Sequence, residues 1–186
     1  MAKAKLIPGI DREAPLLVNA GMIIGTRLAE MLAYERYVYD EAAVYELHQM
    51  RIAAKRLRYT LELFEDAYAE FVDMGGAIHG ITDEVKTLQD CLGEIHDADV
   101  LAPQLAQHLA RMLRPAYGKA PHGEPIAGVH RTDYNAGIGL LALCQQIREL
   151  RERHYRRLLD HWHGMKERGT LDRLRALLQT AMLKEI

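Results

Sequence analysis

The chain has 186 residues, 24 basic and 26 acidic, for a formal net charge of −2, and two cysteines. That length suits one domain with a sizeable core rather than two, and the near-neutral balance excludes a polyanion partner held by overall charge, so any such partner must be gripped by local clustering. Cys91 and Cys144 lie in periodic apolar segments, read as reduced core thiols of a cytosolic protein rather than as a disulfide framework.

Lys3 and Lys5 run directly into Pro8, Gly9 and Asp11, without the apolar stretch of a secretory signal, and residues 1–15 read as a tail. The first predicted helix covers Leu16 to Tyr39. From Leu16 to Leu32 it is apolar but interrupted by Asn19, Arg27 and Glu30, short of the roughly 18 residues that cross a bilayer. A cytoplasmic protein with no membrane association is therefore expected. Tyr34, Tyr37, Tyr39 and Tyr45 read as packing residues with polar tips, not as a stacking platform for bases, so nucleic acid is not expected as a specific ligand.

The second helix, Val44 to about Asp73, carries the most informative segment. Between Glu46 and Glu62 lie Arg51, Lys55, Arg56 and Arg58 and no acid. At about 100° per residue, His48, Arg51, Lys55, Arg58 and Tyr59 share an arc of roughly 100°, and Met50, Ala53, Ala54, Leu57, Leu61 and Phe64 fill the opposite side. Faces built only for solubility interleave both signs, so that residues three or four apart attract. Here neighbours repel. Either acids from another helix or a bound anion must offset that repulsion, and phosphate suits the stripe. Arginine offers a planar fork of donors, lysine a compact charge, and histidine a donor that gains charge near its reference pKa. The other reading is ordinary ion pairing with acidic helices, with His48 a hydrogen-bonded interior histidine.

Gly75, Gly76 and Gly80 suggest a break, with Thr82 capping a third helix over Asp83 to Ala102 and Asp83 and Glu84 facing its positive end. Its apolar stripe runs through Val85, Leu88, Leu92, Ile95 and Val100, and Lys86, Gln89, Gly93 and His96 share another face. A glycine inside a helix costs roughly 1 kcal/mol relative to alanine, so Gly93 points to close approach of a backbone or ligand. Asp97 and Asp99 are placed to orient arginines of the basic helix. Pro103 is expected to open a fourth helix, Gln104 to Leu113. Residues 114–135, with Pro115, Pro121 and Pro125, read as a flexible loop. Ala136 to about Lys166 and Leu171 to Leu183 complete six helices. The fold class is thus all-α, a helical bundle with long antiparallel helices in a single domain.

Two segments together resemble the CHAD family (conserved histidine α-helical domain). His48, Arg51, Lys55, Leu57 and Arg58 are similar to its first signature, and Leu92, Gly93, Asp97 and Val100 to its Leu-Gly-x-x-x-Asp-x-x-Val element. The arginine-rich helix from Leu140 to Trp162 is similar to the family's later helices. The resemblance implies a helical bundle that binds inorganic polyphosphate or a related phosphorylated ligand, with no catalysis and no cofactor. His48, Arg51, Lys55, Arg58, Lys86 and His96 would be its ligand-binding residues. His96 stands where an arginine or small polar residue is more usual, which makes its charge depend on pH. Members usually hold two copies of the helical unit around a basic channel, and one copy is visible here. Two chains are therefore expected to associate as a homodimer about a two-fold axis and rebuild that channel.

Two other classes compete. His96-Asp97, with His48 or His79 and Asp133, could form the metal site of an HD-type phosphohydrolase. Arg148, Arg151, Arg153, Arg156 and Arg157 could dock an acidic protein, although Glu149 and Glu152 sit within pairing distance of that run. His154, His161 and His163 are read as solvated or interface histidines, since a spacing of two turns side chains apart on a helix. No nucleophile-base pair, glycine-rich phosphate loop or cysteine-metal spacing appears, so catalysis is not expected.

Overall fold

Apolar side chains recurring at steps of three and four give helices whose stripes must be covered. The computed structural model describes residue 7 and residues 9–69, 75–113 and 131–184. Among them every regular element is helical: α1 (Leu16–Leu32), a 3₁₀ turn (Glu35–Tyr39), α2 (Val44–Ala69), α3 (Gly75–Leu113), α4 (Arg131–Glu167) and α5 (Thr170–Lys184). The all-α expectation holds, with five α-helices in place of six.

Each departure has a local cause. The first helix stops at Leu32, where the amides of Ala33 and Tyr34 bond to Ala29 and Met31 and tighten the chain into the 3₁₀ turn. That turn buries Val38, whose carbonyl accepts the Tyr155 hydroxyl at 2.9 Å. The third helix starts at Gly75 and runs through Thr82, which does not cap it; the hydroxyl donates to the Ile78 carbonyl at 2.9 Å. Burial of Ile78 and Ile81 outweighs the cost of the glycines. Pro103 lies inside α3, at an exposed position where solvent can satisfy the carbonyl its missing N–H would have met. The end of the second helix beyond Ala69 and residues 114–130 of the expected loop lie outside the described residues, as does most of the N-terminal tail. Residues 131–135 belong to α4, so the loop reading ran too far.

The chain packs as two compact units, residues 1–93 with 155–186, and residues 94–154. In the first, α1 lies against α2 and α5. Its core includes Ile24 and Met31 of α1, Met50 and Leu57 of α2, Leu88 of α3, Trp162 of α4 and Leu174 of α5, all fully buried. Each such side chain stabilises the unit by roughly 1.5–3 kcal/mol through removal from water. Residues 16–39 do reach the length and hydropathy of a membrane-crossing helix, more than the interrupted sequence suggested. Here the helix ends at Leu32 and buries Leu17, Ala20, Ile24 and Leu28 in the core. Gly169, at φ 62°, takes the left-handed turn between α4 and α5. Cys91 is buried in this unit and in no disulfide, and Cys144 of the second is half-buried rather than core.

Tyr68 is an oddity of this core. It is fully buried, its hydroxyl has no hydrogen-bond partner among the described residues, and burial pushes its pKa up to about 12. A buried hydroxyl without a partner forfeits its hydration, so Tyr68→Phe should stabilise the protein by about 1 kcal/mol. A urea midpoint that falls would show that the hydroxyl is satisfied.

The second unit is a hairpin of α3 from residue 94 onward and α4 up to residue 154. Arg151 pairs with Asp99 and His154 Nδ1 with Glu94 at 2.7 Å, which sets the helices antiparallel. Its apolar interior is small: Ile95, Ala98 and Ile147 are buried.

Candidate functional site

Two ties fix how α2 and α3 run alongside each other in the first unit. Arg51 lies over Gly93, where an added Cβ would sit 3.4 Å from Nε and 4.0 Å from Nη2. Fourteen residues up α2, Glu65 meets His79 Nδ1 at 2.6 Å. The helices are therefore antiparallel, and between the ties Lys55 lies level with Gln89 and Arg58 with Lys86. The stripe read from α2 and the polar face read from α3 thus line one seam. The apolar side of α2 is buried as expected for Met50, Ala53, Ala54, Leu57 and Leu61, with Phe64 half-buried.

The charges along this seam are poorly matched by acids. Arg51 is half-buried, its Nε is shielded from solvent, and it has neither an ion pair nor a hydrogen bond on that atom among the described residues. Lys55 is exposed, with Nζ 5.6 Å from the Tyr59 ring centroid. Arg58 stacks on the same ring at 4.6 Å, and its Nε stands 3.4 Å from Glu62, close enough for an ion pair but not aligned for a hydrogen bond. Lys86 is exposed, and Gln89 presents a buried Oε1 with no hydrogen bond. No carboxylate lies within ion-pairing distance of Arg51, Lys55 or Lys86 among the described residues, so the ion-pair reading of the stripe finds an acid at Arg58 alone. His48 and Arg56 are half-buried on the same helix.

Gly93 accounts for the seat of Arg51. Gly93→Ala should leave the guanidinium at ordinary contact distance and stabilise α3 by up to about 1 kcal/mol. Gly93→Leu should evict the guanidinium and forfeit that gain. Thermal melts on the two variants separate helix propensity from the seat.

Several expected placements change. Asp99 holds Arg151 of α4, not an arginine of the basic helix, and Asp97 is exposed. His96 is half-buried on α3 and belongs to the second unit. His161 bonds to the Glu84 carbonyl at 2.8 Å, whereas His163 stacks on Tyr39 with centroids 5.7 Å apart, so the two do turn apart. Of the α4 arginines, Arg151 is taken by Asp99. For the metal-site reading, no three His, Cys, Asp or Glu side chains are arranged to hold a metal ion among the described residues, and the side chain of Asp133 lies outside them.

His79 is held at the far end of the seam by Glu65 and, at 3.6 Å, by Asp83. The Glu65 hydrogen bond and the Asp83 and Glu65 charges raise its pKa above the ordinary 6.5. A raised folded pKa stabilises below the unfolded value and loses that contribution as pH climbs through the folded one. His79→Ala should therefore cost stability at pH 6 and little at pH 8.5; an equal cost at both would assign the effect to packing.

Glu84 was read as a helix-start acid, and the structure gives it another role. Its carboxylate accepts from Arg168 at 2.9 Å and from buried Thr170 at 2.7 Å, with Arg173 at 3.6 Å, fastening α3 to the α4–α5 turn. Burial alone would raise its pKa, but the Arg168 and Thr170 hydrogen bonds and the Arg168 and Arg173 charges outweigh it and hold the carboxyl below its usual range. No spacing rule links residues so far apart in sequence.

No curated protein and no solved structure matches the chain. A family profile for the CHAD domain matches residues 5–106, which hold both sequence signatures and the whole α2–α3 seam, while the later helices fall outside the match. With more than half its length so matched, and both signatures on the two helices of one cationic seam, the chain belongs to the CHAD domain family.

Proposed function

We propose that this chain binds inorganic polyphosphate, or a related phosphorylated polyanion, through the seam of α2 and α3, and that it does so in the cytosol without catalysing a reaction. The observation that carries the reading is Arg51, a half-buried guanidinium seated on Gly93 with no ion-pairing acid among the described residues. A cation desolvated without a counter-charge is costly, and a bound anion removes that cost. Arg51 and Arg58 supply forked donors, Lys55 and Lys86 point charges, Gln89 an amide, and His48 a donor from the same helix. Seven residues separate Arg51 from Arg58, about 10 Å of helix, so a chain of phosphates meets several cations at once while a single phosphate meets one or two. The family resemblance points to the same ligand class.

Titration calorimetry with polyphosphate of defined length, beside single-stranded DNA at equal charge, tests this. Tighter binding of polyphosphate is the expected result. Equal affinity for both would reduce the seam to a generic basic surface.

A further inference from the structure

Charge falls away along the second unit. Over residues 100–113 and 136–147 the one fixed charge is Arg111, in a chain where 27% of residues are charged. These two stretches belong to the two antiparallel helices of the hairpin, and residues 136–147 of α4 are uncharged on every side. A helix that is apolar all round is normally covered all round. Two helices cover only one face of each other, and here Val100, Leu101, Ile138, Leu141, Leu143 and Leu150 remain 40–57% exposed.

We infer that this hairpin docks against the same hairpin of a second copy of the chain, completing a four-helix arrangement about a two-fold axis. The chemistry of the surface favours a copy of itself. An acidic or basic partner would need charge of the opposite sign, and residues 100–113 and 136–147 offer none of either sign except Arg111, with charged groups gathered at the end of the hairpin near Glu94, Asp97 and Glu149. Its exposed polar groups include Gln104 and Gln146, whose amides both donate and accept and so pair with their own kind. A lipid surface fits less well, because amides are costly in hydrocarbon and residues 136–147 span about 18 Å of helix against a core of about 30 Å. Beside Leu101 and Leu150 runs a groove of about 250 Å³ floored by Ala98 and Ile147 and edged by Glu94, Asp97 and His154, whose apolar floor can take side chains of the partner hairpin. Covering the six exposed side chains on both copies removes on the order of 1,000 Å² from water, the lower edge of a specific interface. The inference rests on this unit alone and stands whether or not the seam binds polyphosphate.

Gel filtration with light scattering on the full chain at tens of micromolar tests it. The expected mass is twice the chain's 21.1 kDa, falling to the single-chain mass in Leu101→Glu/Leu141→Glu with helical content unchanged. The milder Leu141→Gln/Leu150→Gln, uncharged and confined to α4, should show the same shift toward monomer if the glutamates disturb folding. A wild-type chain that runs as a monomer overturns the inference, and so does a double-mass species that survives both sets of substitutions.

Discussion

Replacing Arg51, Lys55 and Arg58 together by alanine should lower polyphosphate affinity on the order of a thousandfold and leave the helix in place. Each charge-assisted contact is worth about 1.5–3 kcal/mol, and a value near the lower end for each of the three, at 1.4 kcal/mol per tenfold, gives that factor. Alanine is the better helix former, and three mutually repelling cations leave with the substitution. Arg51→Lys keeps charge but loses the fork that spans two phosphate oxygens, so a loss of about tenfold is expected from that change alone. Calorimetry reads affinity and far-ultraviolet dichroism reads the helix. A triple variant that unfolds, with affinity unchanged in the Lys variant, would mean that these side chains hold the structure together rather than a ligand.

The largest effect on stability should come from Glu84→Ala. The carboxylate receives hydrogen bonds from Arg168 and from Thr170, a hydroxyl that is fully buried. Arg168 is about half exposed, so its share is discounted for screening, whereas Thr170 would be left buried without its acceptor. The combined cost is about 2 kcal/mol, or a melting midpoint lower by roughly 4–8 °C for a chain of this size. Glu84→Gln retains an acceptor for Thr170 and should lose about half as much. Because the folded carboxyl titrates below its ordinary value, the wild-type advantage is fully present above about pH 4.5 and is lost as pH falls through the lowered pKa. A cost that is constant down to pH 3 would point to lost packing instead.

The parts of the molecule that one helix can encode were legible in its sequence. The stripe of Arg51, Lys55 and Arg58 and its apolar back, Met50 to Leu61, follow from a 3.6-residue period, and the interior glycine at Gly93 signalled a close approach. What met that glycine was a guanidinium from α2, which required knowing the register of two helices. The same limit explains the errors. Thr82 after three glycines has the local signature of a cap, yet the hydroxyl is satisfied one turn back in a helix that burial of Ile78 and Ile81 had already started. Pro103 reads as a boundary until its side of α3 is known to face solvent. Asp99 looked like a partner for the basic helix, but it pairs with Arg151 of α4, a residue that no helical spacing within α3 could point to. Glu84 shows the extreme case, with partners that no periodicity connects.

The central claim is that unbalanced cations along α2 and α3 hold a phosphate chain electrostatically, and the dependence of polyphosphate affinity on salt tests it most directly. Releasing counterions should give a log–log slope of about −0.7 per phosphate neutralised, hence roughly −2 to −3 for Arg51, Lys55, Arg58 and Lys86 acting together, and a shallower slope in the triple alanine variant. Affinity that stays level as salt rises from 50 to 300 mM, or a slope that the triple variant leaves unchanged, would contradict the account.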